Sequence, residues 1–430
     1  MWCCVDCDNF FCSCERVFRP DLVNTPVVVL SNNDGCVIAM SREAKKMGIK
    51  MGIPYYQLLE EYPKNNITAF SSNYVLYGDL SARIMSILRK EAPLAYQYSI
   101  DEAFLNLSEI ENSTLKQWGE ELSKKILKWT GLPVSIGIAR TKTLAKVAVR
   151  YAKKYQGYKK CCCILDEKQR ETALEGFATE DVWGIGRRLK ASLENFGLKT
   201  ALQFANAPKS WIRRKYHVTG ERTWRELNGE DIIDTVEMNG TRKSILTSRS
   251  FLRNINSIEE LRTNVSNYAA RCSAKLRKQN SVCSMVTVFV QSNPFCKELL
   301  QYSGSLTGYF ATPTSSTPEI VQKSTELLKK IYHSGIYYKR AGVMVSDLSS
   351  ATSIQTDLFF YNPEKRKKLD SISKTIDYLN NRLGDDSVIL ASQQYKETGA
   401  DGKHLKFSHA IRRSLKSPDY TTRPGDFQVI

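Results

Sequence analysis

Residues 98–104 read Tyr98-Ser99-Ile100-Asp101-Glu102-Ala103-Phe104, two adjacent carboxylates set into an apolar run that has strand character from Tyr96 to Leu107. A carboxylate at the end of a buried strand is costly unless a cation neutralises it. Neighbouring residues of a straight strand face opposite ways, so Asp101 and Glu102 can serve one site only at a bend or a hairpin end. A third carboxylate, Asp6, closes the apolar run Trp2–Cys7. Three such groups suit two Mg²⁺ ions about 4 Å apart, one activating an attacking hydroxyl and the other binding a triphosphate. Surface carboxylates that merely end their strands fit the same residues.

Working outward, Val27–Leu30 reads as a strand, and the Asn32-Asn33-Asp34-Gly35 turn that follows it is a hairpin signal. A short helix is expected over Arg42–Met47, closed by Gly48. Leu80, Ile84, Ile87 and Leu88 fall at helical spacing within Tyr77–Arg89. A strand over Pro133–Ala139 and a helix over Thr141–Tyr155 complete an α+β module of residues 1 to about 165. Residues 166–235 look all-helical, with Leu189, Leu193 and Phe196 ahead of Gly197. Residues 241–350 return to strands such as Ser284–Gln291, with helices near 257–277 and 318–333. The end of the chain carries a polar helix near 364–383 and a Pro/Gly-punctuated tail. The fold class expected is α+β and multidomain.

Charge is distributed unevenly. The 430 residues carry a net +17, yet residues 1–110 are at −3, 111–240 at +8, 241–350 at +9 and 351–430 at +3. The excess is therefore not a basic tail, and an acidic module followed by basic ones suits metal chemistry on a nucleic acid. Two aspartates within the first eight residues do not suit a secretory leader, and no apolar run approaches membrane-spanning length, so a cytoplasmic, nucleoid-associated protein with no membrane partner is expected. Cys4-x-x-Cys7 followed by Cys12-x-Cys14 imitates a zinc knuckle. Side chains alternating along a strand cannot converge on one ion, however, and reduced cysteines used as small apolar residues are the better reading.

Two basic elements stand out. Along the helix from Thr141, Lys142, Lys146, Arg150 and Lys153 recur at steps of four, four and three, a stripe that can clamp phosphate and that also fits a solvated helix face. Gly184-Ile185-Gly186 precedes Arg187, Arg188 and Lys190, and a glycine turn opening a helix offers free N–H groups to a phosphate. With Phe196-Gly197-Leu198-Lys199-Thr200 downstream, it resembles a helix-hairpin-helix that binds the DNA backbone.

Ser31-Asn32-Asn33-Asp34-Gly35-Cys36-Val37-Ile38-Ala39, Phe70-Ser71-Ser72-Asn73-Tyr74, Tyr98–Phe104, Asp181-Val182-Trp183-Gly184-Ile185-Gly186-Arg187-Arg188 and Ser417-Pro418-Asp419-Tyr420-Thr421-Thr422-Arg423 occur in order along the chain. Together they resemble the UmuC branch of the Y-family translesion DNA polymerases. The resemblance implies a right-hand polymerase: palm 1–20 and 76–165, fingers 21–75, helical thumb 166–235, a little-finger DNA-binding domain 241–350, and a clamp-binding linker with C-terminal extension over 351–430. It implies that Asp6, Asp101 and Glu102, assisted by the Cys7 backbone carbonyl, hold two Mg²⁺ ions. Phe11 falls at the sugar gate, and Arg42, Lys45 and Lys153 at the incoming triphosphate. Gly184, Gly186, Arg187 and Arg188 fall at DNA, and Gln355, Leu358 and Phe359 at a sliding clamp.

Implied with them are error-prone, DNA-templated dNTP addition to a primer in an SOS-type damage response, and UmuD-like and RecA-like partners. A DinB-type polymerase shares the site but lacks the C-terminal extension. A catalytically silent DNA- or clamp-binding adaptor would be expected to lose a carboxylate, and a nucleotide cyclase would need neither the Gly184 turn nor the basic 241–350 segment. Two positions depart from the branch. Phe11 stands where Tyr is usual, keeping bulk without a hydroxyl. Asp8 stands where Asn is more frequent, and facing solvent is the favoured reading for it over a further carboxylate behind the site.

Overall fold

Strand β1 (Trp2–Cys7) is apolar at almost every position because both of its faces are covered. Cys3, Val5 and Cys7 point into one core, and Trp2 and Cys4 into another. In this computed structural model the described residues are 1–63, 66–234, 241–354, 356, 361–384, 386–396, 405–406 and 412–421. They form two units, Met1–Gly240 with Arg413–Ile430, and Thr241–Arg412.

In the first unit β1 is followed by α1 (Phe10–Val17), β2 (Val27–Leu30), β3 (Val37–Met40), α2 (Arg42–Lys46), α3 (Tyr55–Glu61), β4 (Thr68–Ser71) and α4 (Tyr74–Glu91). Then come β5 (Leu94–Gln97), β6 (Glu102–Asn106), α5 (Leu115–Thr130), β7 (Val134–Ala139), α6 (Lys142–Lys154) and β8 (Cys161–Ile164). The main sheet has the order β5-β6-β1-β7-β8, antiparallel except for the β7–β8 pair. One core packs Leu76, Tyr77, Leu80 and Ile84 of α4 with Leu122 and Ile126 of α5, and the other takes Leu144, Val147 and Ala148 of α6. A smaller sheet, β3-β2-β4, contains the expected hairpin across Asn32–Asp34. Helix α4 begins three residues before the reading from periodicity, because the Asn73 carboxamide accepts from Leu76 N–H and caps it.

The all-helical stretch holds α7 (Glu167–Glu175), α8 (Arg187–Asn195), α9 (Ala201–Ala205) and α10 (Lys209–Leu227). Glu226 of α10 is fully buried, and its carboxylate accepts from the N–H groups of Thr143, Ile232 and Ile233 at 3.0–3.2 Å. A negative charge there also suits the N-terminus of α6.

The single strand expected over Tyr96–Leu107 is two strands. Tyr98 and Ser99 both donate main-chain N–H groups to the Glu102 carbonyl, closing a tight hairpin between β5 and β6. The bend that the paired carboxylates require is thus supplied by residues 98–101.

The second unit is a four-stranded antiparallel sheet, β11-β10-β12-β9, formed by β9 (Ser244–Ile255), β10 (Ser281–Ser292), β11 (Ser303–Thr314) and β12 (Tyr338–Ser350). Helices α11 (Ile258–Lys278) and α12 (Thr317–Ile331) share its core with Val286, Val288 and Val290 of β10 and Val343 and Val345 of β12. Helix α13 (Pro363–Leu383) joins this unit through Asp377, which receives two Arg277 N–H bonds at 2.6 Å. Helix α13 belongs to the second unit, and residues 413–421 to the first. Among the described residues, no helix is long and apolar enough to cross a membrane.

Gly137 at the middle of β7 lets α6 approach to backbone contact. A Cβ there would lie 2.1 Å from the Ala145 carbonyl oxygen and 2.4 Å from the Val149 nitrogen. Gly137→Ala is expected to destabilise the first unit by about 1–3 kcal/mol as α6 is pushed outward, read as a lower midpoint in urea denaturation.

Candidate active site

Asp6 lies opposite Glu102 on one neighbouring strand and opposite Ser135 on the other. At the hairpin, the Cys7 N–H donates to the Asp101 carbonyl at 2.9 Å, pinning the end of β1 to the turn that carries the other two carboxylates. The Cys7 thiol is buried in the core, leaving only its main chain for the site. Ser99 shapes the turn: its hydroxyl donates to the Asp101 carboxylate at 2.5 Å and accepts from the Glu102 N–H at 3.0 Å.

Each carboxylate has its own partner. Lys153 donates to Asp6 at 2.5 Å, and Lys146 lies 2.9 Å from Glu102. Among the described residues, no three His, Cys, Asp or Glu side chains are grouped to hold an ion as placed. The donor set is nevertheless three carboxylates, Asp6 and Glu102 on adjacent strands and Asp101 in the turn between β5 and β6, and hard oxygen donors are the ligands Mg²⁺ takes. Burial pushes Asp6 up to about 6 against the pull of Lys153, and Glu102 and Asp101 push the same way. Burial alone would lower Lys153, but Asp6, Asp8 and Glu102 leave its ammonium above the usual lysine value.

The basic stripe of α6 divides. Lys146 and Lys153 face the carboxylates, while Arg150 pairs with Asp181 at 2.7 Å. Lys142 is buried, pairs with Asp231 at 2.7 Å and lies 3.7 Å above the Trp2 ring, so it is structural and not part of a phosphate clamp.

Lys45 of α2 comes close enough to Lys153 for the two charges to oppose each other, and its ammonium donates to the Asn9 carboxamide at 2.6 Å. Burial, then Lys153, lower Lys45. Arg42 opens the same helix on an exposed position.

Asp8 does not face solvent. Its side chain is 13% exposed, accepts from the Ser135 hydroxyl at 2.9 Å and from Lys160 at 2.6 Å, and lies 3.8 Å from Lys153. The solvent reading fails because α6 and the end of β7 enclose the position.

Phe11 sits on α1, its ring stacked on Tyr77 at 4.4 Å and edge-on to Tyr74 at 6.0 Å. Tyr77 in turn donates its hydroxyl to buried Glu15 at 2.6 Å. Neither Tyr77 nor Glu15 was identified from sequence: Tyr77 stood only at the start of a helical period, and the helix that carries Glu15 was not expected.

Gly184 has φ +96 and meets Thr223 closely enough that a Cβ would lie 2.6 Å from its hydroxyl oxygen, so only glycine fits. Gly186 is the N-cap of α8, and Arg187 and Arg188 follow it exposed. This turn is tied to the carboxylate hairpin through the Trp183 indole, which donates to the Tyr98 hydroxyl at 3.1 Å. Gln355, Leu358 and Phe359 lie outside the described residues.

Residues 5–150 match the impB/mucB/samB family, residues 242–358 the impB/mucB/samB family C-terminal domain, and residues 370–430 a domain of unknown function. Among solved structures, a Y-family DNA polymerase chimera of Dbh and Dpo4 superposes with a TM-score of 0.67 at 20% identity, covering 81% of this chain and 99% of that one. The fold is thus that of a Y-family DNA polymerase. Similarity to individual proteins narrows the class. The chain is 39% identical over 428 residues to Protein UmuC of Salmonella typhimurium strain LT2, covering 99% of each, and 39% identical over 432 residues to Protein ImpB of Salmonella typhimurium, covering 100% of this chain and 99% of the relative. It belongs to the impB/mucB/samB family, the UmuC branch of the Y-family, and is a UmuC-like translesion DNA polymerase.

Burial pushes Glu15 up to about 7, against the opposing pull of Tyr77, Ser417 and Lys416. Because the folded state holds this proton more tightly than an unfolded chain, its stabilising contribution is full below about pH 4.5 and is lost as pH rises through about 7. Glu15→Gln should therefore flatten the fall in unfolding free energy between pH 5 and pH 8, measured by urea denaturation across that range.

Proposed function

We propose that the chain extends a primer on damaged template DNA by adding dNTPs, the 3′-hydroxyl attacking the α-phosphate in an SOS-type damage response. The observation that carries this reading is the cross-strand register that sets Asp6 against Glu102, beside the hairpin holding Asp101. Asp6, Asp101, Glu102 and the Cys7 carbonyl would hold two Mg²⁺ ions. When bound, such ions acidify an attacking hydroxyl and neutralise charge on the attacking and leaving oxygens. Asp6, raised to about 6 by burial, is a group whose ionised form a nearby cation favours.

The residues around them take the remaining work. Lys45 and Lys153, with Arg42 on the same helix as Lys45, match the negative charge of a triphosphate. Asp8 holds Lys160 and stands within reach of Lys153, keeping two ammonium groups beside the site. Phe11 packs beneath the incoming sugar, its plane set by Tyr77, and excludes a 2′-hydroxyl by bulk. The Gly184–Gly186 turn, with Arg187 and Arg188, grips the DNA backbone at the start of α8.

In this reading residues 1–20 and 76–165 are the palm, 21–75 the fingers, 166–235 the thumb, 241–350 the little finger, and 351–430 the clamp-binding linker and extension. Gln355, Leu358 and Phe359 engage a sliding clamp, and UmuD-like and RecA-like proteins are the further partners in the cytoplasm. The UmuC reading is favoured over a DinB-type one by similarity along the whole chain, and over a silent adaptor by the presence of all three carboxylates.

Changing Asp101→Ala together with Glu102→Ala should abolish nucleotide incorporation while leaving primer-template affinity nearly unchanged, as checked by single-turnover extension beside fluorescence anisotropy. Retained incorporation would remove the two-metal assignment. For Phe11→Ala, the ratio of dNTP to rNTP incorporation efficiency should fall by roughly tenfold to a few hundredfold. A core aromatic without a gating role would depress both substrates alike.

A further inference from the structure

The described C-terminal residues lie against the first unit, far in sequence from everything they touch. Leu415 exchanges two hydrogen bonds with Ser71: its carbonyl accepts the Ser71 N–H at 3.0 Å, and its own N–H donates to the Ser71 hydroxyl oxygen at 3.0 Å. A parallel bridge pairs Ser71 with Lys416, so the segment adds to the free edge of β4. The Ser71 hydroxyl donates to Asp34 at 2.5 Å, and the other Asp34 oxygen accepts the Ser414 N–H at 3.0 Å. A backbone at φ +50 at Asp34, beside +63 at Asn33, is thereby held by partners from the other end of the chain.

Two further contacts reach the helices that carry the aromatic stack. The Asn73 carboxamide caps α4 through its oxygen, and its nitrogen donates to the Ser417 carbonyl at 3.2 Å, the Ser417 hydroxyl at 3.0 Å and the Pro418 carbonyl at 3.2 Å. Tyr420 is buried and stacks on Phe18 at 4.5 Å and 8°, beside the C-terminal end of α1. The segment therefore grips the start of α4 and the end of α1. Between those grips stand Tyr77 of α4, joined to Glu15 of α1, and the Phe11 ring stacked on Tyr77.

We infer that Arg413–Tyr420 is a strap that fixes the α1–α4 pair and so positions the Phe11 ring, making sugar discrimination depend on residues at the far end of the chain. This rests on the reading of Phe11 as the sugar gate. The strap acts through Tyr77 and Phe11, so it is a positioning element. It gives a role to part of the region that matches a domain of unknown function.

The test uses the full chain and reads the ratio of dNTP to rNTP incorporation efficiency, which the fraction of folded enzyme does not move. Tyr420→Ala should lower the ratio by about tenfold, and Tyr420→Phe, which keeps the stack, should leave it at the parent value. Asn73→Ser retains a helix cap but loses reach to Ser417 and Pro418, and it should lower the ratio in the same direction without depending on Tyr420. Amide hydrogen exchange should quicken across α1 and α4 in Tyr420→Ala and in Asn73→Ser. An unchanged ratio in both variants, with Phe11→Ala shifting it, would overturn the strap and leave the gate standing. An unchanged ratio in Phe11→Ala would overturn the gate and the strap's action through it together.

Discussion

Everything at the site depends on placing three carboxylates at the end of a sheet whose two faces are both buried. Water cannot neutralise them fully there, so the fold must supply positive charge. It does so from one direction, along α6, whose Lys146 and Lys153 stand seven residues apart on the same side of the helix. The distance between helix and sheet is set without side-chain padding, because at Gly137 the two backbones touch. A half-buried group of carboxylates and a row of cations are thus held in fixed opposition, with Asp8 and Lys160 as a second pair behind them.

The same opposition explains the form of the electrostatics. Burial raises Asp6 to about 6 even with Lys153 beside it, while Lys153 holds its proton firmly because Asp6 and Asp8 face it. Lys45 is pushed the other way by burial and by Lys153. A polyanion arriving in this space would relieve the crowding of like charges among the lysines while bringing its own charge to them.

Much of this was legible in the residues. The Asp101–Glu102 pair demanded a bend, and a hairpin closes at residues 98–101. The runs at Trp2–Cys7 and Pro133–Ala139 lie side by side in the sheet as strands, because only apolar residues tolerate cover on both faces. The spacing of the α6 cations showed a stripe, but periodicity could not separate Lys142, which turns inward to Asp231 and Trp2, from Lys146 and Lys153. Asp8 was misread for a similar reason: whether a carboxylate is exposed depends on Ser135 and Lys160, which lie more than a hundred positions away. Ser71 and Asn73 showed nothing of their partners near residue 415, since single long-range hydrogen bonds leave no period in the sequence.

That last pairing has a consequence for how the molecule is made. Asn73 waits for Ser417, a separation of 344 residues, and Asp34 waits for Ser414, a separation of 380. At translation rates of about 5–20 residues per second, Asn73 and Asp34 stand without these partners for roughly 20 to 75 seconds. A polymerase fragment released early therefore lacks the residues that close its own N-terminal half. Residues 413–420 and that half of the fold are completed together, so a product cut short of residue 413 leaves the β4 edge and the Asn73 carboxamide without these partners.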